Sequence, residues 1–253
     1  MFTPFSAWTN LRGLTRSSFC DWPGRVCAVL FLGGCNLACP TCHNAGLAWR
    51  PERHPALDRG QVLAWLKGRA RWLDGLTVTG GEPTESSGLA PFLADIRRAT
   101  GLPVKLDTNG MRPGVVEELL YAGLADVFAV DVKAPYAKYP LVSGGLATAE
   151  TARHNLEWIF DLARMHPGRF YFRTTMAPAL DDSDLAAIRE LVPAGEVHVL
   201  QQFVPPGRGH AQTDSETGRM SGDLVPGPHR ERHPQGAQGL GHQGSPALQA
   251  GCA

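Results

Sequence analysis

An α/β fold built on a parallel sheet is predicted by three observations. Short apolar runs of strand length recur between residues 26 and 203. Stretches with helical apolar spacing separate them. Glycine, proline or a capping residue marks most boundaries. Strands that alternate with helices pair in parallel, and crossovers of one hand wind them into an open sheet or a barrel. Periodicity does not choose between the two. The chain has 253 residues, net charge +0 and 43% hydrophobic residues, which suits one large domain, or one domain plus a tail.

The first strand is the continuous apolar run 26–32, as expected of a strand buried on both faces. Asp58 is placed to cap a helix through about Trp72, with Val62, Leu63, Trp65, Leu66 and Leu73 near one face. Residues 76–79 form a short strand that ends at Gly80-Gly81. Residues 89–99 read as a helix closed by Gly101 and Pro103. The next strand is 104–107. Pro113 suits a first helical turn, and Gly123 stops that helix after about Ala122. Strand 126–131 leads into a loop with two prolines and two glycines. Thr148 caps a helix to about Arg164. Residues 170–175 are rich in aromatic and β-branched side chains. Ser183 starts a helix to Leu191, and 196–203 is the sixth strand.

The tail differs. All aromatic residues fall at or before Phe203. The 47 residues of 207–253 include 10 Gly and 4 Pro, and such a stretch buries too little surface to offset its ordering entropy. The expected organisation is a domain over 1–206 and a low-complexity tail over 207–253, either disordered or an aberrant, frame-shifted end.

Neutral charge balance gives no reason to expect nucleic acid or an acidic membrane surface as partner. No run approaches the length of a membrane span. Residues 1–15 lack a basic start followed by an apolar stretch, so no secretory leader is expected. Leu32-Gly33-Gly34-Cys35 resembles a lipoprotein processing site, but Asp21, Pro23 and Arg25 interrupt the approach. Cys20 and Cys27 lie beside apolar residues and read as buried thiols; Cys252 supports no inference.

Three of the six cysteines share one loop, residues 33–44: Cys35, Cys39 and Cys42, in the spacing C-x3-C-x2-C. This concentration argues for metal in a reducing, cytoplasmic setting. Three thiolates hold three irons of a cubane cluster and leave the fourth iron open to a ligand. Zinc is the alternative, with His43 as fourth ligand. Its adjacency to Cys42 makes one tetrahedral metal awkward to reach, and zinc motifs usually place ligands as two separated pairs.

The loop resembles that of radical S-adenosylmethionine (SAM) enzymes. Its ending, Cys42-His43-Asn44, is similar to the activating enzymes of glycyl-radical enzymes, above all those of anaerobic ribonucleoside-triphosphate reductase. Further matches are Asp21-Trp22-Pro23-Gly24, Gly80-Gly81-Glu82-Pro83-Thr84, Asp107-Thr108-Asn109-Gly110, Asp131-Val132-Lys133-Ala134-Pro135 and Phe172-Arg173-Thr174-Thr175. They span about residues 15–206. The resemblance implies a partial (β/α)6 barrel, in which ligands collect at the carboxyl ends of the strands. It implies a 4Fe–4S cluster on Cys35, Cys39 and Cys42, where SAM is cleaved, and SAM contacts from Asn36, Thr41, His43, Gly80, Gly81, Glu82, Pro83, Asp107, Asn109, Asp131, Lys133 and Arg173. Within these, Glu82 meets the SAM ammonium and Lys133 the carboxylate. Gly80 and Gly81 let backbone approach the ligand. Arg173 is either an edge-facing surface residue or a fork aimed at the SAM carboxylate or ribose. Gln201 and Gln202 are candidate floor or ribose contacts.

Pyruvate formate-lyase activases resemble this chain and hold a monovalent cation. Carried across, Asp107, Thr108, the Ala129 carbonyl and Asp131 would form that site. One position departs from the family: Thr41 stands where an aromatic residue usually contacts adenine, and His43 is the remaining residue to stack there.

The implied activity is that of a radical SAM oxidoreductase that generates a glycyl radical on a partner, anaerobic ribonucleotide reductase, fed by a flavodoxin- or ferredoxin-type electron donor. Two alternatives stand beside it. One is a radical SAM enzyme acting on a small molecule in cofactor or modified-nucleoside biosynthesis. The other is a non-catalytic iron–sulfur or zinc binding protein.

Overall fold

The computed structural model describes residues 6–205. The expectation of a disordered or aberrant tail over 207–253 lies outside the described residues. A single seven-stranded sheet runs in the order β1 to β7: β1 (Leu11–Ser18), β2 (Cys27–Leu32), β3 (Gly75–Gly80), β4 (Val104–Thr108), β5 (Val127–Asp131), β6 (Phe170–Met176) and β7 (His198–Gln202). β2 to β7 pair in parallel. β1 pairs antiparallel with β2 and forms one edge. The sheet is not closed, as expected of a partial barrel.

The six parallel strands match the six expected from sequence, with ends shifted by a residue or two. β1 was not expected. Two short helices were also missed, α1 (Ala45–Trp49) and α5 (Tyr139–Val142). The remaining helices are α2 (Arg59–Arg69), α3 (Leu89–Thr100), α4 (Pro113–Tyr121), α6 (Ala149–Met165) and α7 (Asp182–Leu191). Their ends follow local chemistry. The Asp58 side chain accepts from the Gln61 N–H at 2.8 Å, and Thr148 accepts from Thr151 N–H at 3.0 Å. Gly101 adopts φ +68° at the end of α3, a conformation that costs glycine little. α7 begins one residue earlier than Ser183, because Asp181 and Asp184 close a capping box.

Sequential strand order with crossovers of one hand puts the helices on one face of the sheet. That face is apolar. Leu30, Val78, Leu106, Val130 and Phe172 share one buried core with Leu66, Phe92, Leu119, Ile159 and Ile188 from the helices. Each such side chain contributes about 1.5–3 kcal/mol when fully buried. The other face follows from period-2 alternation. It carries Thr77, Lys105, Asp107, Asp131, Tyr171 and Arg173, in register across the strands. At the strand starts this inner face is closed by a small apolar group, Trp22, Cys27 and Val29, with Phe31 and Val127 packed against it. Gly75 leaves room for the indole: a Cβ there would lie 2.6 Å from the Trp22 ring. Cys27 is buried as expected, whereas Cys20 is exposed, on the turn between β1 and β2.

Candidate active site

The cysteine loop follows β2 and is fixed by backbone bonds from distant segments. Gly34 N–H donates to Leu47 O at 3.0 Å, and Glu82 N–H donates to Gly34 O at 2.8 Å. Gly81 N–H donates to Leu32 O at 2.8 Å, and Ala38 N–H to Ser143 O at 3.0 Å. These contacts need glycine. A Cβ on Gly81 would lie 1.9 Å from Gly34 O, one on Gly80 2.0 Å from Leu32 O, and one on Gly144 2.3 Å from Ala38 O. Gly80 and Gly81 were expected to admit a ligand. In the structure both line the cavity and also admit backbone, that of Leu32 in β2 and of Gly34 in the cysteine loop. Asn44 adds a side-chain tie, donating to Gly80 O at 3.1 Å.

A cavity of about 320 Å³ opens at the carboxyl ends of the strands. It brings together Cys35, Cys39, Cys42, Thr41, His43, Gly80, Gly81, Glu82, Asp107, Thr108, Asn109, Asp131, Lys133 and Arg173. Gln201 reaches it as well. Asn36 does not line it, but its side-chain oxygen accepts from Asn109 Nδ2 at 2.7 Å. Pro83 is buried at the head of a 3-10 turn, Pro83–Glu85. Ala129 sits inside β5, paired with Asp107 and Tyr171. Asp21, Asn44, Thr79, Val142 and Thr175 also line the cavity without having been singled out as ligand contacts. Thr175 was findable by counting two residues on from Arg173. A second groove of about 340 Å³, between 84–91 and 112–119, holds none of the expected residues.

Burial, and then Glu82, pushes the Cys35 thiol up to about 12. Burial also raises Cys42. Without metal these groups are therefore thiols near neutral pH, and a bound metal would release their protons. Among the described residues no three His, Cys, Asp or Glu side chains converge as a single ion needs. Three soft donors spread over one loop suit the separate irons of a cluster better than one zinc.

Glu82 is 1% exposed. Its Oε1 accepts from Thr84 N–H at 3.1 Å, Thr84 Oγ1 at 2.6 Å and Thr108 Oγ1 at 2.8 Å. Its Oε2 accepts only Asn109 N–H, at 2.7 Å. Burial raises its pKa, against the pull of these bonds. Among the described residues no cation pairs with it, so Oε2 keeps acceptor capacity facing the cavity.

Arg173 is neither at the surface nor free. Its Nε lies 3.0 Å from Asp131 Oδ1, and its NH1 lies 3.2 Å from Asp107 Oδ2. Lys133 Nζ is 3.3 Å from Asp131 Oδ2, and Lys105 Nζ pairs with Asp107 Oδ1. Burial pushes the Asp131 carboxyl up, and Arg173 and Lys133 more than reverse it, so it titrates below the usual range. The Asp107 and Asp131 oxygens expected to hold a monovalent cation are thus engaged by side-chain cations, and the Thr108 hydroxyl donates to Glu82. His43 is exposed, its ring stacked on Phe203 at 5.8 Å with Nε2 2.9 Å from Val204 O. Thr41 is half-buried in the cavity wall.

An open parallel β/α sheet with three cysteines and a buried carboxylate at one mouth has the donors to hold a soft metal cofactor and a cationic ligand side by side. The family model described as the radical SAM superfamily matches residues 29–192, and the chain belongs to that superfamily. A candidate glycyl-radical enzyme activating enzyme of Methanocaldococcus jannaschii is 33% identical over 196 residues, 76% of this chain and 79% of that one. A 7-carboxy-7-deazaguanine synthase of Clostridium acetobutylicum is 26% identical over 112 residues, 44% of this chain and 49% of that one. Among solved structures, anSMEcpe with bound AdoMet superposes with a TM-score of 0.52 at 16% identity, over 69% of this chain. The chain spans about half of that structure, 48%. The likeness extends to fold alone. Among the described residues no helix is long and apolar enough to cross a membrane.

Proposed function

We propose that the protein is a glycyl-radical enzyme activase whose protein substrate is an anaerobic ribonucleoside-triphosphate reductase. The observation that carries this reading is the 33% identity to the archaeal activase candidate, which runs through three quarters of the chain. The ending Cys42-His43-Asn44 supports the same reading.

Cys35, Cys39 and Cys42 would hold a 4Fe–4S cluster, and the cavity beside them would take SAM. When bound there, such a cluster would supply the one-electron reductive cleavage of SAM that abstraction of a hydrogen atom from a backbone glycine of the partner requires. The chain's own residues bind, orient and shield. Glu82 Oε2 receives the SAM ammonium, and burial strengthens that attraction. Lys133 has three N–H donors and spends one on Asp131, so it can also donate to the SAM carboxylate. Asn109 bridges Glu82 to Asn36 and so fixes the ammonium site relative to the cysteine loop. The apolar floor around Trp22 keeps water from the strand starts.

The test is anaerobic incubation of the reconstituted protein with dithionite, SAM and the reductase. A glycyl doublet in the electron paramagnetic resonance spectrum is the expected result. Release of 5′-deoxyadenosine without a doublet, on a competent reductase, would favour action on a small molecule. The partial match to the deazaguanine synthase is the observation behind that second reading. No 5′-deoxyadenosine at all would point to a binding protein.

Glu82 gives a pH prediction. Its pKa is raised, so on acidification it loses its charge at higher pH than an ordinary glutamate does. SAM affinity should fall as pH drops through that raised value. Glu82→Gln should remove the dependence and weaken binding at least tenfold at pH 8, an electrostatic loss of about 1.4 kcal/mol. Equilibrium dialysis across pH 5–8 measures both.

A further inference from the structure

The inner face of the sheet carries a continuous line of alternating charge. Lys105 pairs with Asp107, Asp107 with Arg173, Arg173 with Asp131, and Asp131 with Lys133. The strand register sets this order. Asp131 and Arg173 are direct partners across β5 and β6, and Asp107 is one strand over. Three cations therefore serve two carboxylates, and all four carboxylate oxygens have a nitrogen partner.

Lys105 is the unusual member. Its side chain is 0% exposed, and its ammonium lies 5.9 Å from the centre of the Tyr171 ring. A sodium or potassium ion needs several oxygen ligands at once. To collect them here it would have to expel Lys105 or Arg173 from a carboxylate. Arg173 borders the cavity, but Lys105 is enclosed and has no route to water, and an unpaired buried charge is strongly disfavoured. The Thr108 hydroxyl is no substitute: its oxygen already accepts from Gly110 N–H, and one remaining lone pair is not the several ligands such an ion needs.

We propose that Lys105 is a built-in cation at the position where a free monovalent ion was expected, so that this chain assembles its SAM site without sodium or potassium. Together with Arg173 it neutralises Asp107 and holds that carboxylate still beside the cavity. Lys105 is a positioning residue and acts through Asp107. The consequence for SAM rests on the function proposed above; the consequence for ion binding does not.

Two measurements test this on the reconstituted full chain. The first is anomalous diffraction from crystals grown with thallium(I), a heavy stand-in for potassium. The wild-type protein should show no thallium peak on Asp107 or Asp131, and Lys105→Met should show one. The second is SAM affinity with tetramethylammonium chloride replacing sodium and potassium chloride at constant ionic strength. Wild-type affinity should change less than twofold. Lys105→Met should bind SAM at least tenfold more weakly in tetramethylammonium and recover when potassium is added. A thallium peak on Asp107 of the wild type overturns the proposal, as does a tenfold loss of wild-type affinity without sodium and potassium. A folded Lys105→Met protein with neither a peak nor potassium dependence removes Lys105 from the role. The wild-type arms decide the matter if that variant does not fold. A protein that takes no SAM in any buffer fails the SAM reading alone, because the thallium result is read without SAM.

Discussion

The Gly81→Ala protein is expected to lose its iron before it loses its sheet. The added methyl would sit 1.9 Å from Gly34 O and 2.6 Å from Gly34 C. Neither is the end of a flexible side chain; both belong to backbone. That backbone cannot simply retreat, because Gly34 is bonded to Leu47 and Glu82 on its two sides. Overpacking of this kind costs about 1–3 kcal/mol, and more where nothing can give. The clash falls on the Glu82–Gly34 contact that seats the cysteine loop, so the loop is the element it displaces. Iron and sulfide per chain after reconstitution should fall at least fivefold, while the far-ultraviolet circular dichroism stays within a few per cent of wild type. A variant that reconstitutes normally would show that the contact is softer than its geometry implies. Serine at the same position should behave as alanine does, because the obstruction arises at Cβ.

Arg173→Met should destabilise the metal-free protein at pH 7 by about 3 kcal/mol, the low end for breaking a buried ion pair. The low end applies because Lys105 and Lys133 each still hold one carboxylate. The effect depends on pH, and its sign follows from Asp131. In the wild type that carboxyl titrates below its unfolded value, about 3.9. Its contribution is therefore complete above the unfolded value and lost only as pH falls through the lower folded value. Without the guanidinium only Lys133 is left to oppose burial, so the carboxyl is expected to shift upward. The penalty is then full at high pH and relieved as acid protonates it. Urea unfolding of both proteins at pH 8 and pH 5 should show the gap narrowing at pH 5. A constant or wider gap would mean that the guanidinium contributes by packing rather than by charge.

The parallel sheet was legible because buried strands are continuous apolar runs, and 26–32 and 126–131 are good examples. β1 was not. Leu11-Arg12-Gly13-Leu14-Thr15-Arg16-Ser17-Ser18 has two large apolar residues at helical rather than strand spacing. It pairs on one side only, so it needs little burial and leaves a faint pattern. α1 and α5 are too short to display a period. At the site, spacing marked the three cysteines and the resemblance marked Glu82, and all four line one cavity. The partners of Arg173 were not, because a sequence does not state that Asp131 and Arg173 fall in register. The fate of Gly80 and Gly81 was hidden for a similar reason. Their crowding comes from Leu32 and Gly34, nearly fifty residues earlier, and appears only once β2 and β3 lie side by side.

The bracing of the cysteine loop sets an order of events in the life of the chain. Its backbone is tied to Leu47, Glu82 and Ser143, and Asn36 within it is tied to Asn109. Those anchors exist only after β3, β4 and the segment around α5 have taken their places. A nascent chain that has just emerged with its cysteines therefore offers no shaped receptacle. Zinc fingers, in contrast, wrap around their ion as they fold. On the function proposed above, maturation would run the other way: the scaffold would form first, and iron and sulfide would reach a folded protein. A cluster-free form with its sheet intact is then the expected intermediate of assembly.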